Sequence, residues 1–325
     1  MKPKVLITRK IAEPIIEKIQ EYADVDVWDQ EDVQIPRDIL ENKISEIDGL
    51  FCLITESIDA SLIDKAPNLK VISNMAVGYN NIDVDTATKK GIMVTNTPEV
   101  LTETTADLTF ALLMATARRL VEASDFLRDG KWETWSPNLL TGQDIYGATI
   151  GIIGMGRIGE AVARRTKGFN MNLLYHNRSR KPDVEQELGT TYVSMETLLS
   201  ESDFVVVITP YTAETKNLIT AEQLKLMKKN AILINTARGG IVNEADLYEA
   251  LVNGVIWGAG LDVFEKEPVP ADHPLLTLPN VVTLPHIGSA SIATRMKMAE
   301  LAAENLILAL KGEKPKHLVN KIDFS

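Results

Sequence analysis

Cysteine and histidine are scarce in this chain of 325 residues, which contains one cysteine, Cys52, and four histidines. A single cysteine excludes a disulfide within the chain and a cysteine-based metal cluster. We therefore expect no metal site, and we expect a reducing compartment, the cytoplasm.

The chain also lacks a basic excess, a long apolar run and a signal-like start. Its 34 Lys and Arg are outnumbered by 45 Asp and Glu, for a net charge of -11. This balance argues against nucleic acid and anionic lipid as partners, so an anionic ligand requires a local positive site. No apolar segment approaches the roughly 18 residues of a membrane span, and no signal-peptide core precedes the first strand-like run. We expect a soluble, unprocessed protein.

What the sequence does contain is an alternation of strands and helices, on a chain long enough for two domains of roughly 100–200 residues each. In the first part of the chain we predict strands at 5–8, 25–28, 50–55, 69–74 and 92–96, with helices at 12–22 and 37–44. This alternation is typical of βαβ units around a parallel sheet.

An apolar periodicity over 102–128 predicts one long helix between the two domains. The stretch that follows, 131–147, contains Trp132 and Trp135, has no clear period and is longer than an ordinary connection. It either carries function or reaches a partner. The alternative is a surface loop whose two tryptophans pack on their own domain.

The strand pattern restarts at Thr149 and continues to the last helix, predicted at 289–310. The second set of predicted strands lies at 149–154, 173–177, 204–210, 231–237, 258–264 and 280–286. Six strands of this kind suit a complete dinucleotide-binding sheet.

A glycine-rich turn follows the first strand of this second set and directly precedes a helical pattern. It contains Gly154, Gly156 and Gly159, with Arg157 and Ile158 between the last two glycines. The first glycine permits a tight turn, the second lets the backbone approach a pyrophosphate, and the third lets helix and strand pack closely. Because strand, turn and helix occur in this order, we predict a dinucleotide site.

The residues after the next strand indicate which dinucleotide is bound. An NAD site usually presents an acid there to the ribose 2′-hydroxyl, whereas this chain has Asn177, Arg178, Ser179 and Arg180. Two guanidinium groups can bind a 2′-phosphate, so we predict that NADPH is preferred over NADH. The alternative is that both arginines are solvated and that either cofactor is accepted.

The carboxyl ends of parallel strands meet at one edge of a sheet, where ligands bind. The polar or small residues at these ends are Thr209, Pro210, Thr236, Ala237, Arg238, Asp262, His286, Gly288 and Ser289. Arg238 can bind a carboxylate with both arms of its guanidinium, although a structural salt bridge would equally explain it. His286 can act as an acid near neutral pH, and a helix-capping or buried structural histidine is the alternative.

Four ordered segments carry a resemblance to a known family. GIIGMGRIG at 151–159, NTARGG at 235–240, GAGLDVFEKEP at 258–268 and LPHIGS at 284–289 resemble the D-isomer-specific 2-hydroxyacid dehydrogenases. The resemblance covers essentially the whole chain, including AVGYNNID at 76–83, and it is closest to the glyoxylate/hydroxypyruvate reductase and 2-ketogluconate reductase branch.

This resemblance implies roles for particular residues. It implies a catalytic arginine, glutamate and histidine at Arg238, Glu267 and His286, of which only the glutamate is chosen by the family pattern alone. It also implies that the backbone of Val77 and Gly78 binds the substrate carboxylate, with Arg238, His286 and Ser289 as further substrate contacts. Asp262 is implied at the edge of the nicotinamide.

The resemblance further implies two doubly wound parallel-sheet α/β domains, Rossmann-like and flavodoxin-like, with a cleft between them. The substrate domain comprises 1–99 plus 288–325, and the NAD(P)-binding domain comprises 100–287. A homodimer is implied, with the 131–147 loop directed towards the partner.

The implied function is NADPH-preferring reduction of a small 2-oxo acid, glyoxylate or hydroxypyruvate, to the D-2-hydroxy acid. A 2-ketogluconate reductase of the same family is the alternative substrate assignment. A protein of another class, which senses NAD(P) and binds partners, is disfavoured because the catalytic trio is intact. Phosphoglycerate and formate dehydrogenases are disfavoured by the two arginines at 178 and 180.

Overall fold

A computed structural model describes residues 1–322 of the chain, which folds into two compact units. The first unit is Met1–Leu101 with Ala290–Ser325, and the second is Thr102–Ser289. The boundaries between the predicted domains, 99/100 and 287/288, each lie two residues before the corresponding boundary between these units, 101/102 and 289/290. The last three residues of the predicted substrate domain, 323–325, lie outside the described residues.

The first unit is built around a five-stranded parallel sheet of order β2-β1-β3-β4-β5. Its strands are β1 (Lys4–Ile7), β2 (Asp24–Val27), β3 (Gly49–Cys52), β4 (Val71–Asn74) and β5 (Met93–Thr95). Its helices are α1 (Glu13–Gln20), α2 (Arg37–Ile44), α3 (Ala60–Asp64), α4 (Val84–Lys89) and, from the end of the chain, α12 (Ile292–Leu310). This strand order is flavodoxin-like.

Alternating side chains of β1 explain why helices cover both faces of this sheet. Val5 and Ile7 pack against α1 and α12, whereas Leu6 packs against α2 and α3 on the opposite face. All three side chains are fully buried. A strand that is apolar on both faces is stable only inside such a three-layer arrangement.

The second unit contains a seven-stranded parallel sheet of order β12-β11-β10-β9-β6-β7-β8. Its strands are β6 (Thr149–Ile153), β7 (Asn172–His176), β8 (Thr191–Tyr192), β9 (Phe204–Val207), β10 (Ile232–Asn235), β11 (Gly258–Leu261) and β12 (Val281–Thr283). Its helices are α5 (Thr102–Ala117), α6 (Leu120–Arg128), α7 (Arg157–Thr166), α8 (Pro182–Leu188), α9 (Met195–Glu201), α10 (Ala221–Leu226) and α11 (Glu244–Val252).

This order is the Rossmann order with one strand added at the β12 edge. The predicted fold class, two doubly wound parallel-sheet α/β domains, is therefore confirmed.

Short 3-10 helices occur at Lys167–Phe169 and Pro274–Thr277. The six predicted strands correspond to six of the seven, and β8 was missed because two residues are too few to show a period.

The prediction of one helix over 102–128 was wrong. The helix ends at Ala117, Arg119 adopts a left-handed conformation with φ 52°, and a second helix follows. The carbonyl of Ala117 accepts a hydrogen bond from the backbone N–H of Gln143 at 2.8 Å. This long-range contact terminates α5, and a local periodicity cannot reveal it.

The alternative in which both loop tryptophans pack on their own domain was also wrong. The exposed fractions of Trp132 and Trp135 are 56% and 77%. Helix α6 contributes no buried residue. Within residues 1–322, no helix is both long enough and apolar enough to cross a bilayer.

Candidate active site

The glycine turn joins β6 to α7, and each glycine in it has a different environment. Gly154 has φ +103°, and a Cβ there would lie 2.7 Å from the carbonyl oxygen of Ile208. A Cβ on Gly159 would collide with the carbonyl oxygen of Gly154, whereas Gly156 faces open space. The N–H groups of the first turn of α7, which begins at Arg157, point out of the helix beside this space. The turn therefore fits a pyrophosphate over Gly156.

The four residues 177–180 follow β7, as the sequence indicates, but their two arginines differ. Arg180 donates to both carboxylate oxygens of Glu185 at distances of 2.7 to 3.1 Å. The guanidinium of Arg180, followed by the hydroxyl of Tyr175, lowers the pKa of Glu185 to about 2. Arg178 is exposed and forms no hydrogen bond within the described part of the chain.

Arg180 is thus not the unpaired cation that the sequence pattern suggests. Its charge is balanced by Glu185, which lies on α8, close to it in sequence. The side chain of Asn177 donates to the carbonyl of Ser179 at 2.9 Å and shapes the turn. Arg178 has the more accessible positive charge of the two.

The loop after β10 is organised by Asn235, whose role sequence reasoning missed. Its side-chain amide donates to the carbonyl of Arg238 at 3.0 Å and accepts from the N–H of Ala237 at 3.1 Å. Thr236 is buried, and its hydroxyl lies 2.7 Å from that of Thr109 on α5. Thr209 and Pro210 follow β9, the neighbouring strand of the sheet.

The guanidinium of Arg238 lies at the carboxyl edge of the sheet. Burial lowers the pKa of this group, and the charge of Glu267 opposes that shift. Its Nη1 atom donates to the carbonyl of Ala237 at 3.0 Å and lies 3.5 Å from Nε2 of His286. The next residue, Gly239, packs so closely on Phe264 that a Cβ would collide with the Phe264 carbonyl.

Glu267 and His286 form a hydrogen-bonded pair. Oε2 of Glu267 is 2.6 Å from Nδ1 of His286, and Oε1 accepts the N–H of Phe264 at 3.0 Å. Burial raises the pKa of Glu267, but the hydrogen bond and charge of His286 outweigh it, so the net pKa is lowered. The carboxylate therefore stays ionised beside the imidazole, and the second ring nitrogen, Nε2, faces Arg238.

The loop that carries His286 is held by Asp262, at the end of β11. Its two carboxylate oxygens accept the N–H groups of Ile287 at 2.8 Å and Gly288 at 2.7 Å. Burial raises the pKa of Asp262, and the two backbone N–H groups and the charge of His286 oppose this shift. His286 itself has φ 55°, a rare backbone conformation for a residue other than glycine. Asp262 thus fixes the position of the histidine as well as lying at the predicted cofactor edge.

The remaining predicted substrate residues belong to different units. Ser289 follows Gly288 in the second unit and is half-buried. Val77 and Gly78 lie in the first unit, where the side chains of Asn96 and Asn74 each donate to one of their carbonyls at 2.9 Å. The N–H groups of Val77 and Gly78 have no acceptor among residues 1–322. Two adjacent donors of this kind can bind an anion.

No cluster of three or more His, Cys, Asp or Glu side chains suited to a metal ion occurs in the described portion of the chain. The second unit instead brings together a glycine turn, a buried guanidinium and a carboxylate–imidazole pair. This combination can bind a dinucleotide, orient an anion and transfer a proton.

Comparison with known proteins gives concordant results. Residues 110–288 match the family described as D-isomer specific 2-hydroxyacid dehydrogenase, NAD binding domain. Glyoxylate reductases of Korarchaeum cryptofilum and Pyrococcus horikoshii are each 54% identical to this chain, covering 99% of it and 97% of their own length. A crystal structure of an NADPH-dependent glyoxylate/hydroxypyruvate reductase from Sinorhizobium meliloti, in complex with NADP and malonate, is 35% identical. It has a TM-score of 0.84 and covers 98% of this chain and 97% of that one.

The dinucleotide-binding fold and these matches define the class of protein, an NAD-binding oxidoreductase. The chain belongs to the D-isomer-specific 2-hydroxyacid dehydrogenase family. The resemblance inferred from the four motifs is confirmed, and so is the prediction that the protein is an enzyme of this class.

Proposed function

We propose that this enzyme reduces a small 2-oxo acid, glyoxylate or hydroxypyruvate, to the 2-hydroxy acid, of the D form where the product is chiral, with NADPH as the preferred cofactor. The observation that carries the proposal is the 2.6 Å hydrogen bond between Glu267 and His286, beside the buried guanidinium of Arg238. The relatives described as glyoxylate reductases support the substrate class.

The roles of the side chains follow from their contacts. Nδ1 of His286 is bound to Glu267, so Nε2 is the atom that gives a proton to the substrate carbonyl oxygen. The carboxylate of Glu267 favours the imidazolium form that this step needs. Arg238 is proposed to bind the substrate carboxylate. The N–H groups of Val77 and Gly78, in the first unit, have no acceptor among residues 1–322 and are proposed as donors to an anionic ligand. A bound nicotinamide dinucleotide supplies the hydride.

Initial rates of NADPH and NADH oxidation with glyoxylate, hydroxypyruvate and 2-ketogluconate test this proposal. We expect NADPH with glyoxylate or hydroxypyruvate to give the highest kcat/KM. A maximum with 2-ketogluconate would instead identify that acid as the substrate. Dinucleotide binding without reduction of any of the three acids would contradict the proposal and favour a dinucleotide-sensing protein.

Loss of His286 is the sharpest test of its role. Positioned proton transfer contributes about 100- to 10,000-fold, so His286→Ala is expected to lower kcat by that order. His317→Ala is a matched control, because the side chain of His317 forms no hydrogen bond among residues 1–322. An unchanged turnover of His286→Ala would contradict the assignment.

The preference for NADPH rests on Arg178 more than on Arg180. Arg178 is exposed and has no hydrogen-bond partner within residues 1–322, whereas Arg180 is neutralised by Glu185. A guanidinium that is not already hydrogen-bonded to a carboxylate binds a 2′-phosphate more strongly. The Sinorhizobium enzyme, described as NADPH-dependent and crystallised with NADP, supports this cofactor.

Binding of 2′,5′-ADP and of 5′-ADP can be measured by calorimetry without any turnover. Arg178→Gln is expected to weaken 2′,5′-ADP binding by roughly tenfold or more and to leave 5′-ADP binding nearly unchanged. Arg180→Gln should have the smaller effect, and Lys229→Gln, which removes an exposed charge before the amino end of β10, is the control. Equal affinity of the wild-type protein for both nucleotides would refute the preference.

We also propose a homodimer formed through α6 and the loop after it. This surface exposes large apolar side chains of Leu120, Val121, Leu127, Trp132 and Trp135. Exposed apolar area on this scale usually marks an interface. Light scattering is expected to give the mass of a dimer, and a Leu127→Glu/Trp135→Ser variant that of a monomer. A monomeric wild-type protein would refute this assembly.

A further inference from the structure

Behind the turn that carries Glu267 lies a second pair of a histidine and a carboxylate, His273 and Glu244. Oε2 of Glu244 is 3.0 Å from Nε2 of His273, and Oε1 of Glu244 accepts the N–H of Glu265 at 2.6 Å. The exposed fractions of the His273 and Glu244 side chains are 20% and 15%. The carboxylate is therefore well enclosed and is bound from two sides.

The hydrogen bonds of His273 determine its tautomer. Nδ1 accepts the N–H of Leu275 at 3.3 Å and so caps the 3-10 helix Pro274–Thr277. A nitrogen that accepts a hydrogen bond carries no hydrogen, so the ring hydrogen lies on Nε2 and is donated to Glu244. The ring also packs edge-on against Phe264, with 6.0 Å between ring centroids.

Glu244 connects two segments that both carry reacting groups. It is the first residue of α11, the helix that follows the Arg238 loop, and it binds the backbone of the turn that leads to Glu267. The same two segments also touch directly, because Gly239, next to Arg238, packs against the backbone of Phe264 in the turn that leads to Glu267. Phe264 also donates its N–H to Glu267. The second pair thus joins the Arg238 segment to the turn on which Glu267 depends.

We propose that Glu244 and His273 are positioning residues that keep Glu267 in hydrogen-bonding contact with His286. This inference rests on the proposed function, because it assigns the two residues a part in the proton-transfer step. Three charged or titratable groups face Glu267 itself, namely His286, Arg238 and Asp262. None of them binds the Glu265 end of the turn, which only Glu244 holds by a side-chain bond among the described residues.

The electrostatics of Glu244 are consistent with this role. The pKa of Glu244 is raised, first by burial and then by the charge of Glu265. The N–H of Glu265 and the neighbouring His273 lower it, but they do not outweigh burial. A carboxylate in such surroundings depends on its two donors to remain charged. Removal of the His273 donor is therefore expected to weaken the hydrogen bond by which Glu244 holds the turn.

The test compares two substitutions of His273. His273→Phe keeps the ring packing against Phe264 but removes both the donor to Glu244 and the acceptor of the Leu275 N–H. His273→Gln can still donate to Glu244. We expect His273→Phe to lower kcat for the 2-oxo acid by about tenfold with little change in KM, because displaced reacting groups slow the chemical step. His273→Gln should recover most of this loss, and His317→Gln should show none.

The pH profile separates positioning from a merely structural role. If Glu267 loses contact with His286, the imidazolium is less favoured, so the pH at which reduction falls to half its maximum should move to a lower value. A loss of folded protein alone would scale the profile without moving it. An unshifted profile with normal kcat in His273→Phe would overturn the proposal.

A measurement without turnover keeps the inference independent of the reaction. Long-range ¹⁵N–¹H NMR of the four histidine rings should find His273 with its hydrogen on Nε2. The ring signals of His286 should shift in His273→Phe and in Glu244→Gln. A hydrogen on Nδ1 of His273, or unchanged His286 signals in both variants, would refute the positioning role even if the wild-type enzyme reduced none of the acids tested.

Discussion

Replacing Gly154 by alanine tests the geometry of the dinucleotide turn most directly. Gly154 has φ +103°, and a Cβ there would lie 2.7 Å from the oxygen of Ile208, 2.8 Å from its carbon and 2.9 Å from the nitrogen of Thr209. All three atoms belong to the backbone that follows β9, so no side-chain rotation can relieve the contacts.

The magnitude of the effect follows from two contributions. A left-handed backbone costs a residue with a Cβ about 1–2 kcal/mol, and overpacking against a fixed neighbour costs about 1–3 kcal/mol. We therefore expect Gly154→Ala to lower the stability of the second unit by about 2–5 kcal/mol. At about 2–4 °C per kcal/mol for a unit of this size, the melting temperature should fall by about 4–20 °C.

Differential scanning calorimetry of Gly154→Ala and Gly156→Ala provides the assay and its control. Gly156 has no atom within 4 Å of a Cβ position, and its φ is not positive. Gly156→Ala should therefore melt close to the wild type but bind NADPH at least about tenfold more weakly, because the methyl group occupies the space over the turn. A Gly154→Ala protein that melts like the wild type would refute the reasoning.

Three further outcomes are expected. Glu267→Gln should lower kcat/KM by about 100-fold in steady-state assays, because the amide cannot favour the imidazolium, and a change below about threefold would contradict this. Asn96→Ala should raise KM for the 2-oxo acid by about tenfold without altering NADPH affinity in fluorescence titrations, since one carbonyl of the anion-binding loop loses its donor. Ser61 and Arg37 lower the pKa of Asp59 to about 2. Because this folded-state pKa is depressed, the contribution of Asp59 to stability is complete above its unfolded value of about 4 and is lost as the pH falls towards 2. Asp59→Asn should reduce the acid-side slope of unfolding free energy against pH, and an identical slope would exclude this contribution.

The strands and most of the longer helices could be predicted because their signals are local. The apolar runs at 204–207 and 232–234 are buried on both faces of the sheet, so they read as continuous hydrophobic segments. The glycine turn is recognisable because the chain positions of strand, glycines and helix are fixed relative to each other. The short strand β8 has too few residues for such a signal.

The site was predictable only to the level of residues at strand ends. That rule selects Arg238, Asp262 and His286, and it would also have selected Asn235, which ends β10. Glu267 lies in a charged turn, where only the family pattern distinguishes it from Glu265.

The amino-acid sequence by itself determined the α/β class, the two parallel sheets and the position of the glycine turn. These depend on periodicity and glycine placement within short segments. Only the tertiary structure decided that α5 ends at Ala117, that Glu185 neutralises Arg180, and that His273 and Glu244 lie behind Glu267. The physical reason is that hydrogen bonds and charge pairs depend on distances of about 3 Å between specific atoms. Folding sets those distances by bringing together segments that no local pattern relates.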